Sequence, residues 1–205
     1  VPAWAIHYEE FWLTVRSRNL WFIKLRYTAV VMLLFFIIFP KYFLEINFAD
    51  EQQFALLIIT FSILVYNITF HYLRQFVKLD ADKFNPLHLS ILQMIFDLTA
   101  LMLIVYFTGS VESPLLLFFV IHMIVGSLIL PGFVIYTFAI VIVLAFWGIT
   151  VGEYYSLIPH HHVSGFLSFS LHQQFNYVLA INVSFAFLVD MIVLIANRMA
   201  NQLYI

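Results

Sequence analysis

Long runs of apolar residues alternate with short polar breaks along most of the chain. Six runs approach the ~20 residues that a helix needs to cross ~30 Å of hydrocarbon. They lie at 21–43, 53–73, 88–108, 114–130, 133–152 and 174–197. Because unsatisfied backbone groups are very costly in lipid, runs of this length joined by short breaks predict helices and not strands. The pattern therefore predicts an all-α integral membrane protein with a six-transmembrane-helix bundle over 21–198.

The first twenty residues carry a different, amphipathic pattern. Four apolar residues share one face at helical spacing, namely Trp4, Tyr8, Phe11 and Val15. This pattern predicts an N-terminal interfacial helix over 1–20 that lies on the inner leaflet, and a disordered lead-in is the open alternative.

The last apolar run continues without a break toward the end of the chain. Its apolar positions recur at steps of about three and four, at Leu188, Ile192, Ile195, Met199 and Leu203. Such a seam suits a two-stranded coiled coil, although packing within one bundle explains it almost as well. We expect residues 199–205 to begin a cytoplasmic signalling helix and the chain to be part of a longer protein.

Composition supports the membrane assignment and excludes several classes of protein. Of 205 residues, 64% are hydrophobic and only 10% are charged, whereas charged residues make up about 25% of ordinary soluble domains. The net charge of -2 is thinly spread, so no basic face for nucleic acid is present. The absence of Cys excludes disulfides, thiolate metal sites and iron–sulfur clusters.

The distribution of Lys and Arg predicts the orientation of the spans. Basic residues lie around the start of the first span, after the second and after the sixth, at Arg16, Arg18, Lys24, Arg26, Arg74, Lys78, Lys83 and Arg198. The alternate loops hold only Lys41. By the positive-inside rule, both termini are expected to be cytoplasmic.

Three of the polar residues inside the predicted spans lie deep in the third and fourth spans. Asp97 lies midway along the third span, where a charge costs about 2.5–3.5 kcal/mol, and Gln93 precedes it by one turn. His122 lies at a similar depth in the fourth span, so an Asp97–His122 contact is geometrically possible. This intramembrane polar pair is expected either to fix helix packing or to handle a proton or ligand.

Three consecutive histidines, His160 to His162, raise the question of a metal site. Adjacent side chains diverge on a helix and alternate on a strand, so we expect a solvated outer loop and no metal. No catalytic motif is recognisable in the sequence, and the 205-residue chain is expected to carry no catalytic residue.

The segment DLTALMLIVYFTGSVESP, from Asp97 to Pro114, resembles the third span and following outer turn of redox-responsive sensor histidine kinases of the RegB/PrrB type. In that family a GGxxNPF heptapeptide lies between spans three and four. Here residues 109–115 read GSVESPL, which keeps the first Gly and the Pro and replaces the second Gly, the Asn and the Phe. An Asp twelve residues before the first Gly also fits the family, and Asp97 occupies that place.

The resemblance implies a function. The chain would be the membrane sensor region of a two-component kinase of the bacterial inner membrane, a homodimer that signals through its cytoplasmic kinase domains to a response regulator. It would sense the redox state of ubiquinone or menaquinone. The expected quinone-binding residues surround the outer turn, and they are Gly109, Ser110, Ser113, Pro114, Tyr106, Phe107 and Phe118.

The chemistry of the turn has a second explanation that involves no ligand. Gly109 can adopt positive φ at a helix end, Ser113 can cap the next helix, and Pro114 at its first position needs no N–H partner. In either case Glu112 is expected to face water, and Asp97 and His122 to support the helix pair from deeper in the membrane.

Two other functions remain open. A six-helix bundle of this size suits the substrate-capturing membrane subunit of a vitamin-type transporter, which would end soon after the sixth helix. An intramembrane enzyme using Asp97 and His122 is the third possibility, and it lacks a nucleophile or metal motif. The sequence downstream of Ile205 distinguishes the kinase sensor from the transporter subunit.

Overall fold

The structure is a computed structural model, and it describes residues 9–43, 47–77, 83–165 and 170–203. Six α-helices lie within these residues, and they are α1 (Glu9–Phe43), α2 (Asp50–Leu73), α3 (Pro86–Phe107), α4 (Phe118–Ser127), α5 (Gly132–Tyr154) and α6 (Phe175–Leu203). Two short 3-10 turns, Ser110–Glu112 and Pro114–Leu117, join α3 to α4. The described residues form no β-strand, and their single β feature is an isolated bridge between Asn47 and Ser164. The all-α prediction is confirmed.

Five of these helices, all except α4, are long and apolar enough to cross a membrane. The chain is therefore a multi-pass membrane protein. The run predicted as a span at 114–130 forms a shorter apolar segment, Pro114–Ser127. At about 1.5 Å per residue this segment measures roughly 21 Å, which is less than the ~30 Å of a typical hydrocarbon core.

One end of the bundle, which we call the turn end, holds the connection between α3 and α4. Gln52, near the start of α2, donates through Nε2 to the carbonyl of Phe107 at the end of α3, over 3.2 Å. Ser110 in the connection donates its hydroxyl to Glu153 near the end of α5, over 2.9 Å. The start of α2 and the ends of α3 and α5 therefore meet at the turn end.

The opposite end, which we call the terminal end, holds the first turns of α1. Asn19 of α1 donates to the carbonyl of Pro86 at the start of α3, over 2.9 Å, and the Arg18 guanidinium donates to the carbonyl of Leu128 just after α4. The space above Gly132 at the start of α5 is filled by Asn197 of α6. Successive helices therefore run in alternate directions, and α4 runs from the turn end to the terminal end despite its shortness.

Aromatic side chains fill the centre of the main core. Phe119 of α4 and Phe146 of α5 are fully buried, and both pack against Phe185 of α6 with ring centroids 5.5 and 4.9 Å apart. Between helices in lipid the hydrophobic effect contributes little, because lipid tails are as apolar as the side chains they replace. Close packing of such rings therefore supplies much of the stability that holds α4, α5 and α6 together.

The first helix differs from the predicted arrangement at residue 20. Helix α1 runs without interruption from Glu9 to Phe43, so residues 9–20 are not a separate element. Val15, which we expected at the membrane interface, is buried in the main core, and so is Trp12. Residues 1–8, with Trp4 and Tyr8, lie outside the described residues.

Most of the predicted seam of α6 faces away from the bundle, whereas Ile192 is partly buried against the main core. Leu188, Ile195 and Met199 are 37, 47 and 59% exposed, whereas the opposite face is buried at Val189, Val193, Ala196 and Ala200. The exposed residues of the seam can contact either lipid or a second copy of the chain. Dimerisation remains a prediction. In the GxxxG pair of α5, Gly148 has no neighbouring atom within 4 Å of an ideal Cβ, so it makes no close helix contact within the described chain.

Candidate functional site

Asp97 forms an ion pair with Arg26 in the interior of the bundle. The Arg26 guanidinium donates from Nε to both carboxylate oxygens, at 2.7 and 3.0 Å, and from Nη2 to Oδ2 at 2.7 Å. The two side chains are only 9% and 16% exposed. Asp97 does not form the hydrogen bond to His122 that the sequence left possible, because the guanidinium of α1 takes up the carboxylate instead. Arg26 is likewise not a cytoplasmic flanking residue but an internal cation.

Three neutral side chains complete the network around this ion pair. The hydroxyl of Tyr66 in α2 donates to Asp97 over 2.8 Å. Arg26 donates from Nη2 to the side-chain oxygen of Gln93 at 2.9 Å, and from Nη1 to that of Asn67 at 3.4 Å. Residues of α1, α2 and α3 thus satisfy the charges together. Because removing one partner of a buried pair leaves an uncompensated charge, at a typical cost of about 3–5 kcal/mol, the network locks the three helices in one register.

Two apolar clefts flank the ion pair. The larger has a volume of about 270 Å³ and lies among α1, α3 and α4, and the smaller, of about 210 Å³, lies among α1, α2, α3 and the start of α4. Six residues line both clefts, and they are Arg26, Ala29, Met32, Asp97, Phe118 and His122. Ligand sites are typically apolar clefts lined by a few charged or polar groups, as these clefts are.

His122 lies in the shared wall of the two clefts. Its Nδ1 is 2.9 Å from the carbonyl oxygen of Phe118, one turn earlier in the same helix. A carbonyl oxygen can only accept a hydrogen bond, so Nδ1 carries the proton. In a neutral imidazole the other nitrogen, Nε2, is then an acceptor, and within the described chain it forms no hydrogen bond.

The turn between α3 and α4 has the local chemistry that its residue types predict. Gly109 adopts φ of 104°, in the left-handed region, and Ser110 follows it with φ of 46°. The Ser113 hydroxyl accepts from the backbone N–H of Leu115 at 3.3 Å, and Pro114 is the first residue of the second 3-10 turn. These residues therefore have structural roles that require no ligand.

The side chains predicted to bind a quinone at this turn are largely engaged within the protein. The Tyr106 hydroxyl donates to the carbonyl of Pro159 at 2.9 Å, and His161 packs on the rings of both Tyr106 and Phe107, with centroids 4.8 Å apart. The Ser110 and Ser113 hydroxyls are likewise bonded within the protein, to Glu153 and Thr108. Phe118 lies elsewhere, at the mouth of the clefts.

Carboxylates and imidazoles gather at the turn end, beneath the loop between α5 and α6. Glu112 does not face water as predicted, because its side chain is only 3% exposed and its Oε2 lies 3.5 Å from Nε2 of His160 and 3.2 Å from Nδ1 of His162. Nδ1 of His160 lies 3.3 Å from Oε1 of Glu153. His172 stacks on His160 with ring centroids 3.8 Å apart. The expectation of three solvated histidines is therefore wrong for His160, whose side chain is 7% exposed.

The electrostatic environment differs among these histidines. Burial alone would lower the pKa of His160, but hydrogen bonding and charge from Glu153 and Glu112 raise it above its ordinary value. Burial lowers the pKa of His172, and the neighbouring His160 lowers it further. Burial also lowers the pKa of His161. The cluster therefore combines imidazoles of different basicity around two carboxylates.

No protein-family model, curated protein or solved structure matches this chain. Two sites in the described part of the chain are candidates for function. One is the ion pair with its clefts inside the bundle, and the other is the cluster of carboxylates and imidazoles at the turn end.

Proposed function

We propose that this chain is the membrane sensor region of a two-component histidine kinase, and that it binds a lipid-soluble ring compound, such as an isoprenoid quinone, in the clefts beside Arg26 and Asp97. The observation that carries the ligand site is the buried ion pair that lines two apolar clefts. The kinase assignment rests on the resemblance of the turn segment to the RegB/PrrB type.

The clefts suit a ring whose tail remains in lipid. Residues at their rim are well exposed on the surface of the bundle, with Met32 at 62% and Ile121 at 49%. A ligand can therefore enter sideways from the bilayer between α1 and α4. Each cleft is somewhat smaller than the ~300–1,000 Å³ typical of sites that enclose a whole drug-sized molecule, which fits a head group bound without its tail.

His122 provides a means to distinguish the two redox states of a quinone. Its Nε2 is an acceptor, so it can receive a hydrogen bond from the hydroxyl of a quinol but not from the carbonyl of a quinone. A hydrogen bond of this kind contributes about 0.5–1.5 kcal/mol, so the quinol should bind several-fold more tightly. This location replaces the predicted site at the turn, where the hydroxyls of Ser110 and Ser113 are already engaged.

Helix α4 links the clefts to the last helix. One face of α4 contributes Phe118 and His122 to the clefts, and the other face packs Phe119 against Phe185 of α6. A ligand that shifts or rotates α4 therefore acts directly on α6, which continues to Leu203. A change in its position or rotation would be the signal passed to a cytoplasmic kinase.

The orientation proposed for this sensor places the turn end outside the cell and both termini in the cytoplasm. The alternating directions of all six helices support six crossings, with α4 and its flanking turns as the shortest. The positive-inside rule supports the orientation, because Arg16, Arg18 and Lys24 of α1 and Arg198 of α6 lie toward the terminal end, whereas only Lys41 of α1 lies toward the turn end.

Binding of short-tailed ubiquinone and menaquinone analogues to the purified protein tests the ligand site. Saturable quenching of Trp fluorescence is expected, with tighter binding of the reduced form. Ala29→Phe, which fills both clefts, should weaken binding at least tenfold, whereas Ala145→Phe on the exposed face of α5 should not. His122→Phe should abolish the preference for the quinol. Absence of saturable binding, or equal binding by Ala29→Phe, would show that the clefts are not the site.

The kinase assignment has its own test. The gene should continue beyond Ile205 into a phospho-acceptor His and an ATP-binding domain, and autophosphorylation of the full-length protein in nanodiscs should depend on quinone redox state. If the gene instead ends soon after α6, the solute-binding subunit of a transporter becomes the better explanation.

A further inference from the structure

We propose that Glu112, His160 and His172 bind a divalent transition-metal cation at the turn end, with His162 as a fourth ligand and Glu153 orienting His160. This site is separate from the clefts in the membrane interior and does not depend on the proposed ligand there. It joins two segments that are distant in the sequence, the turn after α3 and the loop between α5 and α6.

The separations between potential ligand atoms suit a tetrahedral metal site. One ligand atom from each of Glu112, His160 and His172 lies within 4.8 Å of the other two. Glu112 Oε2 is 3.5 Å from His160 Nε2 and 3.2 Å from His162 Nδ1. Ligand atoms bound to zinc at about 2.0–2.2 Å in a tetrahedron lie roughly 3.3–3.6 Å apart. Rotation of the His172 ring out of its stack on His160 would bring the ligand atoms of Glu112, His160 and His172 around one ion, with His162 beside Glu112 as the fourth ligand.

Four polar atoms of this cluster are buried without a well-formed hydrogen bond. Both ring nitrogens of His160 lack a well-formed hydrogen bond, although the side chain is only 7% exposed, and their contacts are carboxylate oxygens at 3.3 and 3.5 Å. Glu153 Oε2 and His172 Nδ1 are also buried and unpaired. Buried polar groups in native proteins are nearly always satisfied, and here the ligand atoms of Glu112, His160 and His172 lie within 4.8 Å of one another. Imidazole nitrogens and carboxylate oxygens together suit a metal cation as their partner.

The surrounding hydrogen bonds hold the carboxylates in position. Glu112 Oε1 accepts the backbone N–H of Leu171 at 2.7 Å, which leaves Oε2 directed at the histidines. Glu153 Oε1 accepts the Ser110 hydroxyl at 2.9 Å and lies 3.3 Å from Nδ1 of His160. A carboxylate on the far nitrogen of a ligating His is the usual arrangement in metal sites, because it fixes the tautomer and the ring orientation. His160 would therefore bind the metal through Nε2.

The chemistry of the ligands selects the class of metal. Two or three imidazoles with one carboxylate suit Zn²⁺ and the neighbouring transition metals, whereas Ca²⁺ and Mg²⁺ prefer oxygen ligands alone. The chain has no Cys, so sites that require thiolate are excluded. We therefore take Zn²⁺ as the reference ion and Co²⁺ as its spectroscopic substitute.

Titration of the purified protein with Zn²⁺ alone tests the proposal, with a purification tag that contains no His. One Zn²⁺ per chain is expected to bind and to raise the unfolding temperature, and Co²⁺ should give the visible absorption bands of tetrahedral coordination. Absence of saturable Zn²⁺ binding to the parent protein would overturn the site, whatever the variants show.

Single substitutions then locate the ion. His160→Ala and His172→Ala should each abolish the Co²⁺ bands, and Glu153→Gln should weaken Zn²⁺ binding by about 10–100-fold. His161→Ala is the matched control, because this neighbouring ring packs on Tyr106 and Phe107 instead of facing the cluster. Circular dichroism without metal establishes that each variant is folded. Unchanged binding in folded His160→Ala, or equal loss in His161→Ala, would contradict the assigned ligands.

Discussion

Substitution of Asp97 by Asn tests whether the internal ion pair holds the bundle together. The change preserves the shape of the side chain and removes its charge, so Arg26 keeps only neutral partners such as Gln93 and Asn67. The carboxylate receives three hydrogen bonds from Arg26 and one from Tyr66. We therefore expect a large loss of stability.

The size of this loss follows from the burial and geometry of the pair. Opposite charges about 4 Å apart attract by about 4 kcal/mol at an effective dielectric constant of 20. Asp97 is 16% exposed, which weakens the attraction somewhat. We expect Asp97→Asn and Arg26→Gln each to lower the free energy of unfolding by about 3 kcal/mol, since each leaves one charge buried alone. The double variant should lose less than either single variant, because neither charge remains.

The measurement is a double-mutant cycle of unfolding in mixed micelles, with sodium dodecyl sulfate as denaturant and Trp fluorescence as the signal. A coupling free energy of at least about 3 kcal/mol between Arg26 and Asp97 is expected. Asp190→Asn is the matched control, because Asp190 is exposed on α6 and should change stability by less than about 0.5 kcal/mol. Additive effects of the two substitutions would refute the reasoning, because they would mean that the charges do not depend on each other.

Three further predictions concern the turn, the last helix and the topology. Gly109→Ala should lower the free energy of unfolding by about 1–3 kcal/mol, because φ is 104° there. Gly148→Ala, where the added Cβ meets open space, should not lower it, and the same unfolding measurement compares the two variants. Single cysteines across 192–202 should crosslink with a period near 3.5 if α6 pairs with its copy, and uniform or absent crosslinking would count against a dimer. Reporter fusions after Glu112 and near His161 should read as extracytoplasmic, and a cytoplasmic reporter at either position would overturn the six-span topology.

The positions of the helices and the form of the turn could be predicted because they depend on local properties. Apolar runs of about 20 residues become helices in lipid wherever their partners lie, since each helix satisfies its own backbone. In the turn, the positive φ of Gly109, the cap by Ser113 and the placement of Pro114 each involve residues close together in the chain. Local sequence is sufficient for such features.

The extent of α1 was predicted less well. Residues before 21 have an amphipathic pattern and those after it are mostly apolar, yet both belong to one helix. The amphipathic residues before 21 resemble an interfacial helix, yet Trp12 and Val15 are buried in the main core. The helix that presents these side chains to the core continues without a break into the first span. Only the neighbouring helices decide whether an apolar face meets lipid headgroups or protein.

The partners of the charged residues were decided by tertiary structure alone. Arg26 and Asp97 are 71 positions apart, and Arg26 near the start of a span carries the same sequence signal as a cytoplasmic flanking residue. Likewise, Glu112 and His162 are 50 positions apart and meet only when the loop folds over the turn. Most faces of these helices are apolar, both toward lipid and toward protein. The sequence therefore shows that each segment is a helix but gives little indication of the rotation of that helix about its own axis. That rotation determines which polar groups meet, and it is set by the packing of the whole bundle.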